Sequence, residues 1–224
     1  MPYDWLGVAL SMSYGYKQRA WSNRRGFSAI ELLVVIALAG IIAAIAIPAS
    51  APAVGGYRLA GAARAVSYDI SLAKMRAAAN FTRARLQVDL ASGGYRLQTW
   101  NRDTNTWTTE GGTEQLPPGV WFGFGALASA PPNTQAVIGQ AATCLDDAST
   151  ALALLGLAFP APPAGTACVL FNSRGVPVDT TGAPTGAGAI YLTDGSTVYG
   201  TTVAATGMTQ LWWTRAGVAS WVRQ

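Results

Sequence analysis

From Phe27 to Ile47 the chain reads FSAIELLVVIALAGIIAAIAI, broken among polar side chains only by Ser28 and Glu31. A run of 21 residues, at about 1.5 Å of helical rise each, approaches the roughly 30 Å hydrocarbon core of a bilayer and is long enough to span it. Past Pro48 the pattern becomes amphipathic. Leu59, Ala63, Val66, Ile70, Ala73 and Ala77 recur at alternating spacings of four and three, while Arg58, Arg64, Asp69, Lys74 and Arg76 occupy other faces. Together the two patterns predict one long helix over 27–80, bent or loosened at Pro48 and at Gly55-Gly56. From about Arg83 the period drops to two, with strands predicted at Arg85 to Leu90, Tyr95 to Trp100, Val120 to Phe124, Cys168 to Phe171, Ala189 to Thr193, Leu211 to Thr214 and Ala219 to Arg223. Gly93-Gly94 and Asp194-Gly195 read as turn points. The Ala- and Pro-rich stretch 126–167, which carries Cys144, reads as a long excursion tied to the sheet through Cys168. The fold class is therefore α+β, a long N-terminal helix packed on an antiparallel β head over 81–224.

Composition supports this division. Half of the residues are hydrophobic and only 12% are charged, which excludes a disordered chain and points to contact with lipid or with a partner. A length of 224 residues suits one folded head plus a non-globular segment. The chain has no His, which removes the commonest general base, the Ser-His and Cys-His pairs and His-based metal sites. Nucleophile-elbow, phosphate-loop and dinucleotide fingerprints are also missing. No catalytic, cofactor or metal site is expected. Cys144 and Cys168 cannot build a thiolate zinc site alone; in an exported chain they form one disulfide, and two buried free thiols are the alternative.

The formal charge of +4 is unevenly spread. Residues 1–26 hold Lys17, Arg19, Arg24 and Arg25 against Asp4, and the remainder is nearly balanced, with 11 basic and 10 acidic residues. Basic residues just before an apolar run place that end in the cytoplasm and the body outside the inner membrane. Three readings compete: an ordinary anchor, a leader cut at the cytoplasmic edge of the run, and a secretory signal cut near Ala49-Ser50-Ala51, although the run exceeds the roughly 7–15 residues of a signal's apolar core. Glu31 separates them, because a carboxylate inside the run costs about 2.5 kcal/mol or more near mid-bilayer and neither an anchor nor a signal explains it. Snorkelling of Glu31 to the interface is the bland alternative.

Arg24-Arg25-Gly26 followed by Phe27-Ser28-Ala29-Ile30-Glu31-Leu32-Leu33 resembles the type IV prepilin leader and N-terminal methylation motif. The resemblance implies that prepilin peptidase cuts between Gly26 and Phe27 and methylates the new amine of Phe27, leaving 1–26 as a cleaved leader and 27–47 as the transmembrane segment. Glu31 then stands fifth after the cut, Gly40 fourteenth and Pro48 twenty-second, positions that match the superfamily pattern, with helix bends at Gly40 and Pro48. In lipid, a Phe27 amine and the Glu31 carboxylate of a neighbouring subunit would neutralise each other, so Glu31 would read register during assembly. The leader is long for the superfamily, and Met12 is an alternative start that would leave 15 residues before the cut.

The helix-then-sheet order, Phe171-Asn172-Ser173-Arg174-Gly175, and Thr206-Gly207 followed by a last strand and Trp221 resemble the GspH/FimT family of type IV pilin-like minor pseudopilins and pilins. That resemblance implies a pilin-like, sandwich-like periplasmic head without enzymatic activity. Its partners would be other pseudopilins or pilins through the N-terminal helix, prepilin peptidase and an inner-membrane assembly platform. The expected function is a minor pseudopilin of a type II secretion pseudopilus; the alternative is a FimT/FimU-like minor pilin of a type IV pilus, acting in assembly, adhesion or DNA uptake.

Nucleic acid is the weaker partner. Arg58, Arg64, Lys74, Arg76, Arg83 and Arg85 stand against the single acid Asp69, a composition fitting either a DNA-contacting face or, as preferred here, a solvated helix face. FimT-type pilins that take up DNA carry Gly-Arg-x-Arg near the C-terminus, where this chain reads Gly207-Met208-Thr209-Gln210. Alternation puts one of Trp212 and Trp213 in the core and the other outward, as a subunit contact rather than a base platform. Asp146-Asp147 offers too few oxygens for Ca²⁺ and reads as a solvated turn.

Overall fold

The computed structural model describes residues 28–162, 164–218 and 220–224, without the side chains of 48–52. Helix α1 is assigned over Ala29–Ala79, and Gly40, Pro48 and Gly55-Gly56 all fall inside it. The chain divides between Pro48 and Ala49 into two compact units. In the first, Ala29–Ile47 is a helix long and apolar enough to cross a membrane, and each of its side chains is exposed.

The second unit holds two five-stranded sheets, antiparallel throughout. The first sheet is ordered β3 (Thr106–Gln115), β2 (Gly94–Asn101), β1 (Ala84–Asp89), β5 (Thr166–Phe171) and β6 (Pro177–Val178). The second is ordered β10 (Val222–Arg223), β9 (Thr209–Arg215), β8 (Thr197–Val203), β7 (Gly188–Thr193) and β4 (Trp121–Phe122). All six predicted stripe residues of α1, Leu59 to Ala77, are completely buried. They share one core with Leu86, Val88, Val169 and Phe171 of the first sheet and Ile190, Leu192 and Val203 of the second. Each fully buried Leu, Ile or Phe in this layer contributes about 1.5–3 kcal/mol of transfer free energy.

Strand β7 explains why the excursion exists. Ile190 and Leu192 point into the main core, whereas Ala189 and Tyr191, on the opposite face, pack with Leu127 and Ile138 of the excursion. A strand buried on both faces needs a cover on each. The excursion supplies the outer one and is held by polar bonds: Gln140 brackets the backbone N–H and C=O of Tyr191, both at 2.9 Å, and Ala141 N–H donates to Ala189 O at 2.7 Å. It then crosses to the first sheet, where Cys168 N–H donates to Ala142 O at 2.8 Å and the Cys144–Cys168 disulfide closes with 5.1 Å between Cα atoms.

Three strands and a helix were not predicted. β3 is an exposed edge whose polar sequence hides its pairing. β6 has two residues. β8 is interrupted by Gly200, which lies opposite Tyr191 in the ladder; a Cβ there would stand 2.5 Å from the Tyr191 ring. The glycine marks a close approach rather than a break. Helix α2 (Asp147–Leu154) lies inside the excursion. The acid pair expected to be a solvated turn is its start. Asp146 is the N-cap, accepting from Ser149 N–H at 2.7 Å, and Asp147 Oδ1 accepts the backbone N–H of Trp107 on β3 at 3.0 Å.

Candidate functional site

In the first unit, the site is the start of α1. Ser28 Oγ accepts the backbone N–H of Glu31 at 3.3 Å and Glu31 Oε2 accepts the backbone N–H of Ser28 at 3.5 Å. This is the reciprocal pattern of a capping box, and its signal in the sequence is the Ser28-x-x-Glu31 spacing ahead of an apolar run. Both bonds are long, so the carboxylate is weakly engaged in the isolated chain. Glu31 is the only charged side chain from Ser28 to Ile47. Gly26 and Phe27, the predicted cleavage and methylation positions, lie outside the described residues.

In the second unit, α1 keeps an outer face opposite its buried stripe. Tyr57, Tyr68 and Met75 are exposed there, with Arg58 and Arg64. The remaining basic residues of this stretch are not one solvated face. Lys74 Nζ donates to Gly207 O at 3.0 Å, Arg76 pairs with Glu110 at 2.9 Å, and Arg83 is half-buried. Arg85 is buried, donating to Gln98 Oε1 at 2.9 Å and Leu145 O at 2.6 Å and stacking 4.0 Å over the Trp107 ring. Burial pushes its guanidinium below the usual range, opposed by Asp147 and Asp146. Among the described residues the six basic side chains of this stretch are therefore dispersed over several environments rather than gathered on one face.

Lys74 also connects the two quoted C-terminal motifs. Asn172 Oδ1 accepts the backbone N–H groups of Arg174 and Val176 at 2.9 and 3.1 Å, closing a turn that ends in Gly175 at φ 72°. A Cβ on Gly207, at φ 76°, would lie 2.8 Å from Gly175 O and 3.1 Å from Lys74 Nζ. Two glycine turns thus seat against one helix lysine, and glycine is required at both. Of the tryptophans, Trp212 is buried and donates to Thr202 Oγ1 at 3.0 Å. Trp213, opposite Val222 of β10, is half-buried. Trp221 tilts 5.9 Å from Tyr191 and donates to Ser129 O at 3.0 Å. None forms an open stacking platform.

One acid of α1 is perturbed. Burial, followed by the nearby Glu114 carboxylate, raises Asp69 to about 6. Tyr95 donates to Glu114 at 2.7 Å, and Arg76, Arg96 and Glu110 line the same cleft. A raised folded value means that the fold prefers neutral Asp69. Its contribution is complete below the ordinary value of 3.8, fades as pH climbs to about 6, and is lost above. Asp69→Asn is therefore expected to raise head stability at pH 7 by on the order of 1 kcal/mol, after discounting for partial exposure. It should also flatten the pH dependence between 4 and 6, read by thermal melts across that range. An equal pH slope in the variant would refute the assignment.

Comparison with known proteins gives three findings. Residues 21–47 match the family model described as the prokaryotic N-terminal methylation motif. No curated protein matches the chain. Two solved structures of the minor pseudopilin EpsH from the type II secretion system of Vibrio cholerae are similar to it. One has 12% identity, covering 72% of this chain and 99% of that one at a TM-score of 0.39. The other has 14% identity, covering 69% and 92% at 0.38.

Proposed function

We propose that this pilin-like chain belongs to the GspH/FimT family and is a minor subunit of a periplasmic filament, the pseudopilus of a type II secretion system. The observation that carries the reading is the coincidence of the methylation motif at 21–47 with an apolar helix whose single charge is Glu31. Cleavage after Gly26 leaves an amine on Phe27. Helix insertion places that amine and a neighbour's Glu31 in the same layer, where each removes the other's cost. Gly40 and Pro48 are where the helix bends to follow the filament. Tyr57, Tyr68 and Met75 face adjoining subunits. The basic residues before Phe27 hold the N-terminus cytoplasmic, so the head and its disulfide are periplasmic and the chain crosses the inner membrane once. Prepilin peptidase and the assembly platform are its processing and loading partners. Its role is structural, without enzymatic chemistry.

The missing arginines at Gly207-Met208-Thr209-Gln210 and the dispersed basic residues weigh against a DNA-uptake pilin. The test is the intact mass and N-terminal sequence of the protein from its own cells, with and without prepilin peptidase. A peptidase-dependent start at N-methylated Phe27 is the expected result. A start near Pro52, or an uncut chain, would overturn the reading. Deletion should then block type II secretion and spare pilus-dependent motility; the reverse phenotype would move the subunit to a type IV pilus.

A further inference from the structure

Where α1 hands over to β1, a pocket of about 470 Å³ opens between the β2–β3 turn, the end of α2 and the loop after β5. Arg83, Arg102 and Arg174 all line it, together with Asn172 and Ser173, and no carboxylate does. Among the described residues none of the three guanidiniums has an ion-pair partner. Arg83 Nη1 is buried without a hydrogen-bond partner. Its guanidinium fits because position 182 is glycine, where a Cβ would stand 2.9 Å from Nη2. Asn172 commits its Oδ1 to the backbone of Arg174 and Val176, which leaves its amide N–H groups as donors.

Local compensation is small. Arg102 donates to Phe81 O beyond the end of α1, and the helix ends nearby carry about half a negative charge each. Against three full positive charges, the pocket remains strongly cationic. Asp179 lines the adjoining cavity beside Arg83; the Thr181 and Ala183 backbone N–H groups, both at 2.9 Å, and the Thr181 hydroxyl at 2.7 Å hold its Oδ1 on that side, so its charge offsets Arg83 in part from outside the pocket and leaves the lining net positive. Planar forked donors of this kind match the oxygens of carboxylate and phosphate groups.

We infer that Arg83, Arg102 and Arg174 form a binding site for an oxyanion, a phosphate or carboxylate group of a ligand that enters at this end of the head. The two exposed arginines, Arg102 and Arg174, capture it, and the half-buried Arg83 fixes the floor. The inference is independent of which filament the chain serves.

The test is calorimetric titration of the full chain in detergent with inorganic phosphate and, separately, with citrate, at ionic strength held constant with chloride. Saturable one-to-one binding is expected. Phosphate alone would assign a phosphoryl ligand, citrate alone a carboxylate, and both the shared chemistry. Arg174→Gln should weaken binding about tenfold, the loss of one charge-assisted donor, and Arg102→Gln gives an independent second variant. Arg58→Gln, on α1 outside the pocket, should bind as the parent does. Non-saturating heats, parental binding in both pocket variants, or equal weakening by Arg58→Gln would each overturn the site.

Discussion

Glu31→Ala is expected to leave the chain folded in the membrane and to remove most of it from the filament. The head does not depend on this residue: its core begins at Leu59, and the Glu31 side chain is exposed. What does depend on it is the charge balance of the apolar layer. An intramembrane carboxylate costs about 2.5–3.5 kcal/mol, and an isolated amine a comparable amount, so one contact that neutralises both favours assembly by several kcal/mol. The capping box supplies the competing explanation, in which Glu31 is kept only to close the start of the helix. Glu31→Gln separates the two, because Gln at that position can still return a hydrogen bond to the Ser28 N–H but carries no charge. Assembly through the amine predicts that Glu31→Gln fails nearly as badly as Glu31→Ala. A capping role predicts that Glu31→Gln assembles normally. The measurement is the fraction of each variant recovered in the sheared filament fraction, with membrane levels as control. Normal recovery of Glu31→Gln would end the pairing argument.

Why part of this molecule was legible in advance comes down to which patterns are local. The stripe from Leu59 to Ala77 is periodic, and a helix of that length has only one face to bury, so sequence alone named six of its seven buried residues, missing only Ala62 at the edge of the stripe. The β1, β2, β5, β7 and β9 runs are rich in apolar, β-branched and aromatic residues and fell within a residue or two of their observed strands. β3 and β8 were missed for opposite physical reasons. β3 pairs through its backbone at an exposed edge and needs no apolar alternation. β8 carries Gly200 because the Tyr191 ring on the neighbouring strand occupies the space of a side chain, which no local window reveals. The excursion and its tie through Cys168 were legible, but what it covers was not, because that role is non-local: Gln135, Gln140 and Ala141 satisfy backbone and hydroxyl groups of β7 about 50 residues away in sequence. At the site, Glu31 stood out because a charge in an apolar run violates its surroundings. The arginine pocket did not, since Arg83, Arg102 and Arg174 come from three separate loops. The basic count between Arg58 and Arg85 misled for the same reason: it joined residues whose tasks differ once folded.

Replacing both cysteines with serine is expected to lower head stability by about 3 kcal/mol, the largest single loss predicted outside the core. The cross-link spans a separation of 24 residues, and closing such a loop removes roughly that much conformational entropy from the unfolded chain. For a domain of this size the loss corresponds to a fall in melting temperature of roughly 6–12 °C. The expected damage is also local. Cys144 sits between Ala142, whose carbonyl accepts the Cys168 N–H, and Leu145, whose carbonyl accepts Arg85 Nη1 at 2.6 Å. Release of the strap would free one partner of a buried guanidinium, and a buried charge that loses a hydrogen bond costs more than a neutral group does. Hydrogen exchange should therefore accelerate first at Ala142, Leu145 and the α2 amides, before the β1–β2 core. Dithiothreitol added to the parent chain should reproduce both effects, which separates loss of the cross-link from any effect of the serine hydroxyls. A melting shift under about 2 °C would mean instead that hydrogen bonds and the packing of Leu127 and Ile138 hold the strap alone, and that the disulfide only locks a connection already made.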